Sequence, residues 1–278
     1  MSAVIEVRGL RNQFLQDVHP LRTGRANMVG EAFTLRYIPA REDLNPISVF
    51  LDPAHPQRVA VETCPEGAVL VIDSRKDARA ASAGSILASR LMQRGVAGLV
   101  TDGGFRDTPD IAALDMPAYH HRPSAPTNLT LHQAIDINVP IGCGDVAVFP
   151  GDVVVGDSEG VIVIPAHLAD EIAAEATEMT AFEDFVTEKV MEGRTIIGLY
   201  PPTNPQTLTG ETLAELARKH QIAESVIARL GNFMDAEALR AIADGVSLKL
   251  DTVQDAEASA VALQAKLREL NTTGAPAE

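Results

Sequence analysis

The sequence predicts an α/β fold, and three stretches carry the prediction. Ala68–Asp73 (AVLVID) and Val96–Val100 are short apolar runs of strand length, the second halted by Asp102-Gly103-Gly104. Between them, Gly84–Arg94 (GSILASRLMQR) puts Ile86, Leu87, Leu91 and Met92 on one side of a helix. Strand, helix and strand in that order form a βαβ unit, which brings Asp73-Ser74, the Gly84 turn and Asp102 to one end of a parallel sheet. Asp145–Pro165 (DVAVFPGDVVVGDSEGVIVIP) then reads as three short strands parted by Pro-Gly and Asp-Ser-Glu-Gly turns, a meander pattern.

The remaining elements follow in order. Residues 4–18 set Val4, Val7, Leu10, Phe14 and Val18 at three- and four-residue steps, one apolar helix face. Glu31–Ile38 is β-rich and closed by Pro39. Ala40–Pro65 is polar, carries Pro46, Pro53, Pro56 and Pro65, and is expected to be a long loop; loops of that length often carry function. A short helical patch follows Asp110. His120 and His121 are adjacent, so on a strand they point to opposite faces and do not share an ion. Gly142-Cys143-Gly144 marks a turn. Ala166–Glu192 is a long amphipathic helix ending at Gly193, a C-cap position.

Pro201-Pro202-Thr203-Asn204-Pro205 breaks the chain into a domain over 1–200 and a helical extension over 201–278. Three helices are expected in the extension. In the last, Val253, Ala256, Ala260, Leu263, Leu267 and Leu270 make a short a/d seam, which points to a role in assembly.

Composition narrows the function. The chain has 278 residues, 46% of them hydrophobic, enough for one sizeable core plus an appendage. A net charge of -15 repels phosphate backbones, so nucleic acid is not an expected partner. Two cysteines far apart, Cys64 and Cys143, point to a reducing compartment. The N-terminal MSAVIEVRGLRNQ has no apolar segment, and no stretch approaches the ~18 apolar residues of a membrane span. A soluble, cytoplasmic protein with no membrane association is expected.

The candidate site is Val96–Asp110 (VAGLVTDGGFRDTPD). Arg106 and the carboxylates of Asp102, Asp107 and Asp110 crowd the C-terminal end of a buried strand, where ligands sit in open α/β sheets. The plainer alternative is turn chemistry, with Arg106 paired to Asp102. The small, glycine-rich start of the helix at Gly84 leaves backbone N–H groups free, a ready anion site.

GSILASRLMQRGVAGLVTDGGFRD together with GDVVVGDSEGVIVIP resembles the RraA-like family, over roughly residues 25–200. That family includes class II pyruvate aldolases acting on 4-hydroxy-4-methyl-2-oxoglutarate and 4-carboxy-4-hydroxy-2-oxoadipate, which also decarboxylate oxaloacetate. It also includes the regulator of ribonuclease activity A, a protein-binding member. The resemblance implies a swivelling β/β/α domain and a lyase acting on a small 2-oxo acid through a pyruvate enolate. It implies Asp107 as the direct ligand of Mg2+ (or Mn2+), Arg106 on the keto oxygen or carboxylate, and Asp102 in proton transfer through metal-bound water. It further implies that the amides of Ser85, Ile86 and Leu87, after Gly84, cradle the substrate carboxylate. Glu183 is a loose match to a glutamate reaching in from a second subunit of a homotrimer or homohexamer.

Ser85 departs from the acidic or glycine residue often found in that turn, and the tail and the TLRYIPAREDLNP stretch lie outside the characterised aldolases' pattern. The alternative function is a non-catalytic binder that regulates an RNA-degrading enzyme; an acid at Asp102 is expected to favour the lyase. A methyltransferase using S-adenosylmethionine ranks last, because no glycine-rich nucleotide turn follows a first strand.

Overall fold

The computed structural model describes residues 9–24, 27–197 and 199–200. The expected tail helices and their seam, along with Val4 and Val7, lie outside the described residues. Contacts divide the chain into two compact units, 1–173 and 174–278. The division falls within the long helix, ahead of the boundary expected at Pro201.

The strands are β1 (His19–Pro20), β2 (Met28–Pro39), β3 (Val69–Asp73), β4 (Ala81–Ala83), β5 (Gly98–Thr101), β6 (Gly104–Phe105), β7 (Ala118–His120), β8 (Arg122–Pro123), β9 (His132–Ile137), β10 (Ile141–Cys143), β11 (Val146–Val148), β12 (Val153–Gly156) and β13 (Val161–Ile164). The helices are α1 (Pro56–Thr63), α2 (Ser85–Gln93), α3 (Thr108–Ala113) and α4 (Ala169–Met191). The main sheet runs β1-β7-β5-β3-β2-β12-β13, and β9 also pairs with β2.

The long strand β2 is the hinge of this sheet. Met28–Glu31 pairs antiparallel with β12, Ala32–Arg36 pairs parallel with β3, and Leu35–Pro39 pairs antiparallel with β9. The expected βαβ unit is present as β3-α2-β5, with Val69 opposite Gly98 and Ile72 opposite Thr101 in parallel register. Its apolar runs are continuous because both faces are covered. Leu70, Ile72 and Leu99 face a core with Leu91, Phe105 and Ile111, while Val69, Val71 and Val100 face a second with Met28, Val154 and Val163. Successive strand side chains point to opposite faces, so each run feeds two cores. A separate three-stranded sheet, β4-β6-β8, is parallel throughout and carries the chain out of β5 towards the candidate site.

Three expectations need correction. The helix expected over 4–18 is absent from its described part. Phe14 bridges Ile162, the Leu15 N–H donates to Val161 O at 2.9 Å, and the Val163 N–H donates to Gln13 O at 2.8 Å. The open edge of β13 has its own donors and acceptors to satisfy, and this segment covers them in extended form.

The loop expected over Ala40–Pro65 contains a 3-10 turn (Ile47–Leu51) and helix α1. Pro56 opens α1, where its missing N–H costs nothing, and Ala60 and Val61 are buried. The meander is two hairpins instead. β12 pairs with β13, whereas β11 folds back on β10 through Gly144 and Asp145, both at positive φ as a tight two-residue hairpin turn requires. The long helix forms as expected and ends just before Gly193, at φ +92.

A Cβ on Gly30 would lie 2.4 Å from Gly67 O, a backbone atom with no rotamer to change, and 3.1 Å from Val69 Cγ2. Gly30→Ala is therefore expected to destabilise the fold by about 1–3 kcal/mol, the usual cost of overpacking. Urea unfolding followed by circular dichroism checks this, and an unchanged midpoint would count against tight packing where β2 passes from β12 to β3.

Candidate active site

Asp102 sits at the end of β5, buried to 2% exposure. Its Oδ1 accepts the Ser74 N–H at 2.7 Å, and its Oδ2 accepts the N–H groups of Lys76 at 3.1 Å and Gly144 at 3.2 Å. Burial pushes its pKa up to about 6, outweighing those donors. Alongside it, the hydroxyls of Ser74, Ser82 and Thr101 close a buried triangle, with separations of 2.5, 2.9 and 3.0 Å. Thr101 Oγ1 also accepts the Gly103 N–H at 3.0 Å. A Cβ on Gly103 would stand 2.5 Å from Ser74 Cβ, so only glycine fits this turn as packed.

The turn delivers the chain into β6 and on to Arg106, whose N–H donates to Ala83 O at 3.1 Å. Asp107 adopts the left-handed conformation, φ 56° and ψ 37°, uncommon for a residue with a side chain and a mark of functional sites. Its Oδ2 lies 3.3 Å from both the N and Oγ of Ser85 and 3.5 Å from Arg106 Nε. Both side chains remain partly exposed. Gly84 is required by this close approach, since a Cβ there would lie 2.7 Å from Arg106 Nε and 2.9 Å from Asp107 Oδ2.

Gly84 is also the N-cap of α2. The first intrahelical bond runs from the Ala88 N–H to Gly84 O, so the N–H groups of Ser85, Ile86 and Leu87 have no acceptor within the helix. The positive end of the helix dipole thus faces the same spot as Arg106.

Gly84, Ser85, Ile86, Leu87, Arg106 and Asp107 are therefore one cluster, as the sequence suggested. A cleft of about 300 Å3 opens beside it, lined by Gly84, Ile86, Leu87 and Arg106. The lining also includes residues that sequence reasoning missed: Ile47, Phe50, Gln57 and Arg58, with Thr127 and Asn128. The available signal was the polar, proline-rich stretch between Ala40 and Pro65.

Asp102 is a different matter. Its carboxylate is committed to three backbone donors, and the Arg106 ion pair is with Asp107, not with Asp102. Its three hydrogen bonds brace the loops behind the site. His120 is buried against the Phe105 ring at 5.6 Å, and burial pushes its pKa down to about 4. Glu183, on the part of α4 in the second unit, accepts a hydrogen bond from Tyr200 Oη at 3.2 Å.

Among the described residues no three His, Cys, Asp or Glu side chains are grouped to hold a metal. A cation at Asp107 would rest on a single carboxylate. That donor set fits magnesium or a similar ion, which retains most of its waters.

The family model RraA-like, described as Aldolase/RraA, matches residues 3–163, and the DNA gyrase B subunit insert domain model matches residues 198–277. A Halalkalibacterium halodurans protein named "Putative 4-hydroxy-4-methyl-2-oxoglutarate aldolase" is 35% identical over 118 residues, covering 42% of this chain and 56% of that protein. "Uncharacterized protein MJ0644" of Methanocaldococcus jannaschii is 38% identical over 103 residues, covering 36% and 48%. The chain thus spans about half the length of these curated relatives.

Among solved structures, Streptomyces coelicolor RraAS2, described as an unusual member of the RNase ES inhibitor RraA protein family, aligns with TM-score 0.60 and 28% identity, over 68% of this chain and 90% of that one. An uncharacterized protein from Pseudomonas syringae shares the fold at TM-score 0.60 and 23% identity, over 72% and 90%. No helix among the described residues is long and apolar enough to cross a membrane.

The raised Asp102 pKa sets a sign for stability. With a folded value of about 6 against an ordinary 3.8, the native state holds this proton more tightly. Its contribution is full below the unfolded value and is lost as pH rises through 6. Asp102→Asn lacks that term and leaves at least one buried N–H without an acceptor, a loss of about 1–3 kcal/mol. The variant is expected to be less stable than wild type, with the gap widest near pH 4 and narrower at pH 7. Chemical denaturation across that range measures the gap; a gap that widened with pH would contradict the assignment.

Proposed function

The chain belongs to the RraA-like Aldolase/RraA family, and from that premise we propose that it is a divalent-metal-dependent lyase acting on a small 2-oxo acid. The observation that carries this reading is the Arg106–Asp107 pair pressed against Gly84 at the open N-terminus of α2, beside a cleft that Gly84 and Arg106 line. The aldolase names of the curated relatives support it.

The residues divide the work by their chemistry. The N–H groups of Ile86 and Leu87, with that of Ser85, which donates to Asp107 Oδ2, receive the substrate carboxylate. Arg106 donates to the 2-oxo oxygen, where negative charge collects when the C3–C4 bond breaks. Its guanidinium stays charged at every working pH and meets a planar 2-oxo acid with two parallel donors. Asp107 holds Mg2+ or Mn2+, which supplies Lewis-acid polarisation of the 2-oxo group.

In retro-aldol cleavage the C4 hydroxyl loses its proton, C4 becomes a carbonyl, and the C3–C4 electron pair passes into the enolate of pyruvate. In decarboxylation the same bond breaks with loss of CO2. Either enolate then takes a proton at C3. Asp102, besides bracing the loop, takes up the released proton and returns one at C3 through water, the role the family resemblance implies. The acid that completes the cleft is assigned to Glu183 of a neighbouring copy in a homotrimer or homohexamer, in line with the family pattern.

A second reading, a protein-binding regulator of an RNA-degrading enzyme, is favoured by the likeness to RraAS2. Asp102 does not discriminate against it, because a bracing carboxylate serves a binder equally well.

Pyruvate release from oxaloacetate, with magnesium and then with EDTA, tests the lyase reading once the background from free ion is subtracted. Activity is expected only with metal. Asp107→Ala should lower it by about 100-fold or more, in keeping with several kcal/mol of lost charge stabilisation. Arg106→Lys should also lose about 100-fold despite its retained charge, because the paired donors are gone. Full activity of either variant, with an unaltered melting temperature, would remove the residue from its assigned role.

A further inference from the structure

We propose that Tyr37, with Gln57, is a positioning residue for Arg106 and acts through a bulge at Ser82. This rests on the lyase reading and adds the groups that set its arginine. Strands β4 and β6 pair in parallel, with Ala81 opposite Gly104 and Ala83 opposite Phe105, so Ser82 is an extra residue with no counterpart on β6. A bulge of this kind interrupts the ladder and re-aims the chain, and such bulges recur beside active sites.

Side chains from two distant elements close the interruption. Tyr37 Oη, on β2, donates to Ser82 O at 3.0 Å. Gln57 Nε2, on α1, donates to the same oxygen at 2.7 Å and to Tyr37 Oη at 3.0 Å. Both side chains are buried, and the Tyr37 ring stacks on His132 at 5.9 Å. From the other side the Ser82 hydroxyl is held by those of Ser74 and Thr101. Burial pushes the Tyr37 pKa far up, so the phenol keeps its proton and serves as a donor.

The bulge leads straight into the site. Ala83 O accepts the Arg106 N–H at 3.1 Å, and Gly84 opens α2 against the Arg106 and Asp107 side chains. A shift at Ser82 therefore carries Ala83 and the Arg106 backbone with it. A guanidinium moved by about 1 Å loses its aim at a developing oxyanion, and the rate falls steeply. Gln57 lines the cleft itself, whereas Tyr37 is 1% exposed, so Tyr37 is the residue that separates positioning from direct contact.

Tyr37→Phe removes one oxygen and keeps the ring. It leaves Ser82 O with one of its two side-chain donors and one Gln57 N–H without its acceptor. In magnesium-dependent pyruvate release from oxaloacetate, kcat is expected to fall about tenfold with KM within about twofold of wild type, because Arg106 acts on charge that appears only as the bond breaks. In an Arg106→Lys background the same change is expected to cost less than about twofold, since the group it positions is already gone. An unchanged kcat overturns the proposal and leaves the lyase reading standing; a lowered melting temperature would then mark Tyr37 as structural only. An equal loss in both backgrounds overturns it too, because the hydroxyl would then act elsewhere. Wild-type protein that released no pyruvate above the metal background would remove the lyase reading, and this inference with it.

Discussion

A buried carboxylate with three backbone donors holds the working end of this sheet together. Asp102 ties the loop after β3, through Ser74 and Lys76, and the turn after β10, through Gly144, to the last residues of β5. A charge so buried is costly, and its raised pKa records that cost. Donors satisfying both oxygens offset it, and the sheet gains a fixed exit. From that exit the Gly103-Gly104 turn launches β6, and β6 lays Arg106 and Asp107 against Gly84. Loosening the brace would shift the site without touching any residue in it.

The site inherits its character from two constraints that reinforce each other. Strand β6 brings a guanidinium and a carboxylate to the N-terminus of α2, where unsatisfied N–H groups already favour negative charge. Asp107 takes a left-handed conformation there, and a Cβ at residue 84 would push the Arg106 and Asp107 side chains out of their present places. An anion meets a charged fork and a helix terminus together, and Asp107 stays open enough to take a cation. The cleft beside them is lined as well by the 3-10 turn at Ile47, α1 and Asn128, which mix apolar and polar side chains. Relatives of this chain carry both a putative aldolase name and an RNase-inhibitor family name, so the fold by itself does not assign a function.

Different parts of this arrangement left traces of different strength in the sequence. The β3-α2-β5 unit was plain because strands buried on both faces must be continuously apolar, and α2 keeps its helical spacing between them. The Arg106–Asp107 cluster was readable from its place after a buried strand. The first segment misled, because residues at helical steps can equally cover a strand edge in extended form, as Phe14 and Leu15 do. The stretch before α1 misled because a proline that breaks one helix can begin another. The three backbone donors to Asp102 were not legible, because an acid beside Gly-Gly is common to turns and to active sites alike.

Chain chemistry alone therefore settled the α/β class, the crossover unit, the long helix α4 and the group formed by Gly84, Ser85, Arg106 and Asp107, all of which depend on local spacing and burial. Contacts between residues distant in sequence settled the rest. Ser74 and Asp102 stand 28 positions apart, and Asp102 and Gly144 42 apart, with no local signal of a shared carboxylate. Asn128 and Arg58 likewise line one cleft only because β9, which follows the Asn128 turn, pairs with β2, and α1 packs beside them. Pairing of that kind is chosen by the energy of the whole sheet, which no short window of sequence contains.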